Sequence, residues 1–126
     1  MRAALIALVA VAGCVHLDGA LQVDGAPFVA RACRSGTVFG FAGVQLMDER
    51  GRRLRAVSDP LSGEVSVALF DSGQSRGRVF RGCATLTQRP QGFTVNGVQG
   101  QRGTAALDCR ADGHTVNGTI DFANCH

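Results

Sequence analysis

The chain contains no tryptophan, no tyrosine and no lysine. Without Trp or Tyr it has no material for an aromatic cage and no obvious platform for stacking sugars. Every cationic side chain is therefore arginine: 13 of them stand against 10 Asp and Glu, for a net charge of +3. That balance is too mild to imply nucleic acid as a partner. There is no H-E-x-x-H, no G-x-S-x-G, no glycine loop followed by Lys and no C-x-x-C, so the common metalloprotease, hydrolase, nucleotide and redox signatures are all missing. After the first turns of the chain, no capped apolar stripe of helical period runs for ten residues. No apolar run reaches the roughly 20 residues that span a bilayer as a helix.

What is present begins at the N-terminus. Arg2 precedes AALIALVAVAG at positions 3 to 13, an uncharged run with no strong turn signal. This is the form of a secretory signal peptide, a short positive region followed by a short apolar one. The run ends in Val11-Ala12-Gly13-Cys14, which resembles the lipobox of bacterial lipoprotein precursors. The resemblance covers the export signal only and identifies no domain family. It implies cleavage between Gly13 and Cys14, a diacylglycerol on the Cys14 thiol and an acyl chain on its new amine. Three acyl chains anchor durably where one does not. The alternative is ordinary cleavage after Ala12, because Ala10-Val11-Ala12 also fits a small-x-small site. Val15, not Asp, follows Cys14; by the sorting pattern common in enterobacteria this resembles an outer-membrane address. The expected organisation is residues 1-13 as signal peptide, 14-19 as lipidated Cys and short tether, and 20-126 as a single domain. With no Ser/Gly/Pro-rich tether, that domain is expected to sit close against its membrane.

Four further cysteines, Cys33, Cys83, Cys109 and Cys125, remain for an oxidising compartment. Two structural disulfides are expected and no zinc, since no pair has the tight spacing of thiolate metal sites. Three connectivities are possible. Cys33–Cys83 with Cys109–Cys125 is favoured, although spacing alone does not decide it, and this pairing needs the chain after Phe122 to bend back. If it runs straight, Cys125 pairs with Cys33 or Cys83 on a neighbouring strand and Cys109 takes the other. A bond at Cys125 would also tie down a terminal strand that otherwise frays.

The body of the chain alternates with period two between turn dipeptides. Ala20 to Val23 is expected as a short strand between Asp18-Gly19 and Asp24-Gly25, with another starting at Phe28. Val38 to Met47 is apolar on both faces, as in a strand buried on both sides or strongly bent. Asp48 to Gly51 turns the chain, and Leu54 and Ala56 point in while Arg53 and Arg55 point out, giving a hairpin with a basic outer edge. Residues 64 to 70 and 78 to 87 form a second expected hairpin. Arg89 to Gly92 reads as a turn, Asn96-Gly97 is the strongest hairpin dipeptide present, and 104 to 110 with 115 to 122 form a third hairpin turning at Asp112-Gly113. Most of the seven Phe are placed as core. The fold class is all-β: a small antiparallel sandwich or barrel of about seven to nine short strands, stapled by disulfides.

Candidate chemistry is sparse. His16 lies beside the anchor, His114 in a hairpin turn and His126 at the end of the chain, none in a strand pattern that would hold it rigidly. Asp108 and His114 could approach across the third hairpin, but a solvated turn histidine is the simpler reading. Asp48 with Glu49 reads as a bare solvated turn. No catalytic residue, cofactor or metal is assigned. Arg50, Arg52, Arg53 and Arg55 form the best surface feature: a candidate face for phospholipid head groups, lipopolysaccharide phosphates or an acidic partner, or else a charged edge that blocks aggregation.

These features favour a non-enzymatic envelope lipoprotein, held to the membrane by its lipid and binding an envelope protein or a surface polymer. A second reading is an inhibitor or immunity-type lipoprotein. The architecture is similar to that of periplasmic inhibitors of C-type lysozyme, small disulfide-bonded β-barrels with an N-terminal lipid, and Ser35-Gly36 resembles the Ser-Gly of their inhibitory loop. The Tyr of that motif is absent. A third is a small carrier of lipid or another amphiphile in a barrel lined by Phe39, Phe41 and Leu46.

Overall fold

The computed structural model describes residues 15–36 and 40–126. These form ten antiparallel strands: β1 His16–Val23, β2 Ala26–Phe28, β3 Ala30–Ser35, β4 Gly43–Asp48, β5 Arg53–Ser58, β6 Val65–Phe70, β7 Arg78–Arg81, β8 Ala84–Val95, β9 Val98–Ala111 and β10 His114–Cys125. They make two five-stranded sheets, one in the order β2-β1-β10-β9-β8 and the other β3-β4-β5-β6-β7. The two sheets pack face to face as a sandwich.

Local chemistry accounts for most of the connections. Asp24-Gly25, Asn96-Gly97 and Asp112-Gly113 each carry positive φ at both residues, 52° and 81°, 51° and 81°, and 53° and 79°. That is the type I′ turn, whose twist matches the strands it joins and which Asn/Asp-Gly adopts most easily. The core lies between the sheets. Leu54 and Ala56 of β5, Val65, Val67 and Leu69 of β6, and Val116, Ile120 and Phe122 of β10 all point into it, as period-two patterning requires.

Several sequence expectations are corrected. The strands number ten, and β8, β9 and β10 run to 12, 14 and 12 residues rather than being short. The first strand starts at His16, inside the stretch expected as tether. The run 78 to 87 is not one strand. It breaks at Gly82-Cys83, where the chain leaves the second sheet as β7 and enters the first as β8. Arg89 to Gly92 is not a turn but an irregularity within β8, with the register shifting between Pro90 and Thr94. Proline is tolerated there because β8 is an edge strand. Of the described part of the expected strand 38 to 47, residues 40–47, only Gly43 onward is strand, and Gly43 to Leu46 are buried on both faces; residues 37–39, including Phe39, lie outside the described residues.

Two disulfides are present, but the favoured pairing is overturned: Cys33 bonds Cys125 and Cys83 bonds Cys109. β10 does not bend back after Phe122. A register shift between Phe122 and Cys125 keeps it along β9, so Cys125 comes opposite Gln101. There it meets Cys33 of the other sheet. Cys83, in the crossover, meets Cys109 of β9. Each bond therefore ties one sheet to a segment of the other or to the link between them.

Candidate functional site

The outer face of the second sheet holds a group of arginines that form no salt bridge among the described residues. One row of residues crosses all five strands in register: Arg34 opposite Gln45, Gln45 opposite Arg55, Arg55 opposite Ala68 and Ala68 opposite Val79. Beside it, Met47 stands opposite Arg53 and Arg53 opposite Phe70. On the other side Val57 stands opposite Ser66 and Ser66 opposite Arg81. Burial alternates along β3, β5, β6 and β7, so their members of these rows point outward, and Gln45 and Met47 of β4 join the same face by register. The face thus presents Arg34, Arg53, Arg55 and Arg81, and no Asp or Glu occupies an outward position on its five strands.

Arg53 and Arg55 are held by aromatic rings rather than by carboxylates. The Arg55 guanidinium lies 4.6 Å from the Phe41 centroid and 5.2 Å from that of Phe70. Arg53 lies 4.6 Å over the same Phe70 ring. Arg55 Nε and Nη2 both donate to Gln45 Oε1, at 3.0 and 2.6 Å. Arg53 Nη2 donates to the Gln74 carbonyl. Gln45 is itself buried, at 4% exposure, under this layer of Phe41 and Arg55. Among the described residues neither Arg53 nor Arg55 forms a salt bridge. Partial burial, and then the neighbouring Arg53 charge, pull the Arg55 pKa below the usual guanidinium value; arginine nevertheless stays charged at any physiological pH. Two like charges are thus fixed side by side on rings and amides, leaving Arg55 Nη1 and Arg53 Nε and Nη1 outside these bonds as donors for a carboxylate or phosphate.

The four arginines singled out in sequence divide. Arg53 and Arg55 form the centre just described. Arg52 is neutralised: its Nε contacts Asp48 Oδ2 at 2.7 Å, and its guanidinium lies 5.2 Å over Phe28. Arg50 is exposed in the β4–β5 turn, with its backbone N–H donating to Asp48 Oδ1 at 3.0 Å. The Asp48–Glu49 pair is not a bare solvated turn. The Asp48 side chain is 5% exposed and also accepts the Arg52 N–H at 2.8 Å. Burial pushes its pKa up, but the Arg52 side chain and the two backbone N–H bonds outweigh this and hold it below the usual carboxylate value. Nor is the basic group on an edge. β5 is the central strand of its sheet, so an anti-aggregation role for Arg53 and Arg55 lacks the strand edge it needs.

Arg34, Arg81, Gln45 and Phe70 were missed in sequence, and Phe41 was read as lining a barrel. Phe70 carried a signal: once Val65, Val67 and Leu69 face in, it faces out. Phe28, Phe80 and Phe122 are core, but Phe41 and Phe70 serve the arginines outside it. Leu46 is in the core while Phe41 stacks on the outer face, so these two do not line one cavity. Ser35 is buried at 1% exposure at the end of β3 and does not protrude; Thr37 is outside the described residues. The histidines are dispersed. His114 Nδ1 lies 3.1 Å from Asp24 Oδ2, His126 Nδ1 lies 3.2 Å from the Asn124 carbonyl, and His16 opens β1. Asp108 is opposite Asn117 and not His114. Cys14 and the rest of the lipobox lie outside the described residues.

No protein family, curated protein or solved structure matches this chain.

Proposed function

We propose that this chain is an envelope lipoprotein, anchored through Cys14 to the outer membrane, with a non-enzymatic binding role. Its binding surface is the outer face of the second sheet, and its ligand is an anionic envelope partner or surface polymer. The observation that carries the reading is the Arg53–Arg55 pair, stacked on Phe70 without a carboxylate. Two neighbouring guanidinium charges repel, and the fold supplies rings and amide oxygens but no internal anion. A bound phosphate or carboxylate group relieves that repulsion and accepts from the donors that Gln45 and Gln74 leave unused on the two guanidiniums. The placement of Arg34 and Arg81 on the same face extends the favourable potential across the sheet and supports a polymeric ligand over a single small ion. The proposed anchoring rests on the Val11-Ala12-Gly13-Cys14 motif.

Binding of the full chain to polyphosphate, a simple polyanion, tests the surface. Arg53→Ala with Arg55→Ala should weaken binding at least tenfold, and raised salt should weaken the wild type similarly. Arg50→Ala should leave it unchanged. Equal affinity in wild type and the double variant would remove the surface from the account.

A further inference from the structure

The β8–β9 hairpin reaches past the end of its own sheet. Pairing of β9 with β10 ends where Gln101 meets Cys125, while β8 and β9 pair on to Val95 opposite Val98. The extension is held in shape. The type I′ turn at Asn96-Gly97 closes it, and the Phe93 ring lies where a Cβ on Gly100 would stand. Gln91 ties its base to β10: Nε2 donates to Asn124 Oδ1 at 3.1 Å, and the Asn124 N–H donates to Gln91 Oε1 at 2.8 Å. At the tip, Val95 and Val98 line an open cleft of ≈ 430 Å³ together with Val15, Met47 and Arg34. Val15 is the residue after Cys14, so the anchor position is only about 4 Å further along the chain.

Charge is layered along this hairpin. No Asp or Glu occurs from Ala84 to Leu107. Arg89 stands directly opposite Arg102, both are exposed, and among the described residues neither forms a salt bridge. Like charges directly opposite each other on neighbouring strands destabilise a sheet, so sheet stability does not account for the pair. On the side of the pair away from the tip, the outer face carries the row Asp18, Asp121, Thr104 and Thr87. Toward the tip, carboxylates thus give way to guanidiniums and guanidiniums to valines. The four residues of β9 from Arg102 to Val98 span about 13 Å. Interfacial segments bury their apolar part about 5 to 10 Å into the head-group boundary. With the hairpin entering along its length and the valines at that depth, the arginine backbone stands about 3 to 8 Å outside the boundary, at head-group level. From there the long side chains reach lipid phosphates.

We infer that the β8–β9 hairpin is a membrane-docking element, with Val95 and Val98 in the bilayer interface and Arg89 and Arg102 on the phosphates of anionic lipid head groups. The choice of a bilayer over a protein partner rests on the proposed lipidation of Cys14, which brings the lipid surface to Val15, beside the tip. The unpaired arginines, the acid-free hairpin and its apolar end do not depend on that reading. Docking gives the domain a second point of attachment beside its lipid and so a fixed orientation on the membrane. Each basic side chain near an anionic surface adds about 1 kcal/mol, and the lipid holds the hairpin at high effective concentration, so a weak contact suffices.

The test uses the lipidated chain in vesicles of phosphatidylcholine and phosphatidylglycerol. Because the protein has no tryptophan, Val98→Trp places a single indole at the tip, and lipids brominated on their acyl chains quench it on contact. Loss of at least half the emission is expected. Thr119→Trp, beyond the acidic row on β10, should lose almost none. Arg89→Gln with Arg102→Gln should at least halve the quenching at the tip, and Arg53→Ala with Arg55→Ala should leave it unchanged. The glutamine pair should melt no lower than its parent, because it removes a repulsion; a lower melting temperature would make the pair structural and overturn the inference. So would an unquenched tip, equal quenching of Thr119→Trp, or quenching indifferent to Arg89 and Arg102. If Val98→Trp shows no cooperative melting, Val95→Trp is read in its place. An unmodified Cys14 in the intact mass would instead defeat the anchoring. The hairpin is then judged by sedimentation of the same chain with phosphatidylglycerol vesicles: retention that the glutamine pair abolishes supports it, and no retention, or retention that survives the pair, overturns it.

Discussion

Removing each disulfide separately should cost different amounts, and the topology sets the order. Cys33 and Cys125 are 92 residues apart, Cys83 and Cys109 only 26. A cross-link removes loop-closure entropy from the unfolded chain, more so for a longer loop. For these separations the chain-entropy relation gives about 4.6 and about 3.5 kcal/mol at 25 °C. Alanine pairs are the right perturbation, because Cys33, Cys109 and Cys125 are all buried and a polar replacement would add its own penalty. The Cys33→Ala/Cys125→Ala chain should therefore be less stable than the Cys83→Ala/Cys109→Ala chain by about 1 kcal/mol. Urea unfolding followed by circular dichroism measures both, and an unchanged slope would show that the denatured state is comparable. A reversed order, or two losses each below about 1 kcal/mol, would refute the argument. Peptide mapping without reductant should recover the two pairs as observed, and Cys33 linked to Cys83 would contradict the fold itself.

Four further outcomes are expected. Intact mass of the mature protein should show Cys14 at its N-terminus carrying three acyl chains; an unmodified thiol, or a product beginning at Gly13, contradicts the lipobox reading. Asp48→Asn should destabilise by about 1 to 2 kcal/mol near neutral pH, through the charged hydrogen bonds lost to Arg52 and Arg50. Since the folded pKa of Asp48 is lowered, that difference should be complete above the ordinary carboxylate pKa and fade as pH falls through the folded value; chemical unfolding at a series of pH values reads it, and a difference that grows in acid would refute it. Gly97→Ala, at φ 81° in the β8–β9 turn, should cost about 1 kcal/mol in the same assay, and no loss would deny the type I′ geometry. Arg55→Lys should keep the charge yet lose polyphosphate affinity, because lysine cannot reproduce the planar stack between Phe41 and Phe70.

Much of the fold was legible because it is local. Asp24-Gly25, Asp48 to Gly51 and Asp112-Gly113 each turn where the residues demand it, and the inward rows of β5, β6 and β10 follow from alternation alone. What was not legible depends on which strands become neighbours. The run through Gly82-Cys83 alternates without interruption, so nothing local marks the change of sheet. Pro90 looks like a turn until β8 is known to be an edge. The cysteine pairing turns on whether β10 bends after Phe122, which side-chain pattern does not encode. The candidate site shows the same division. Arg53 and Arg55 were visible as outward residues of one strand. Phe41 comes from a separate loop, and Arg34 and Arg81 from strands at opposite edges. Only the order of the sheet brings them together. Asp48 was misread because its burial comes from Arg52 folding back across the turn.

The central claim is that the arginine face of the second sheet is the binding surface in the envelope. Photo-crosslinkers placed at Ala68, between Arg55 and Val79, and at Thr119, on the outer face of the other sheet, test it in intact cells. The account predicts a discrete crosslinked product from Ala68 that disappears when Arg53 and Arg55 are both changed to Ala. A product from Thr119 with none from Ala68, or an Ala68 product indifferent to both arginines, would contradict it.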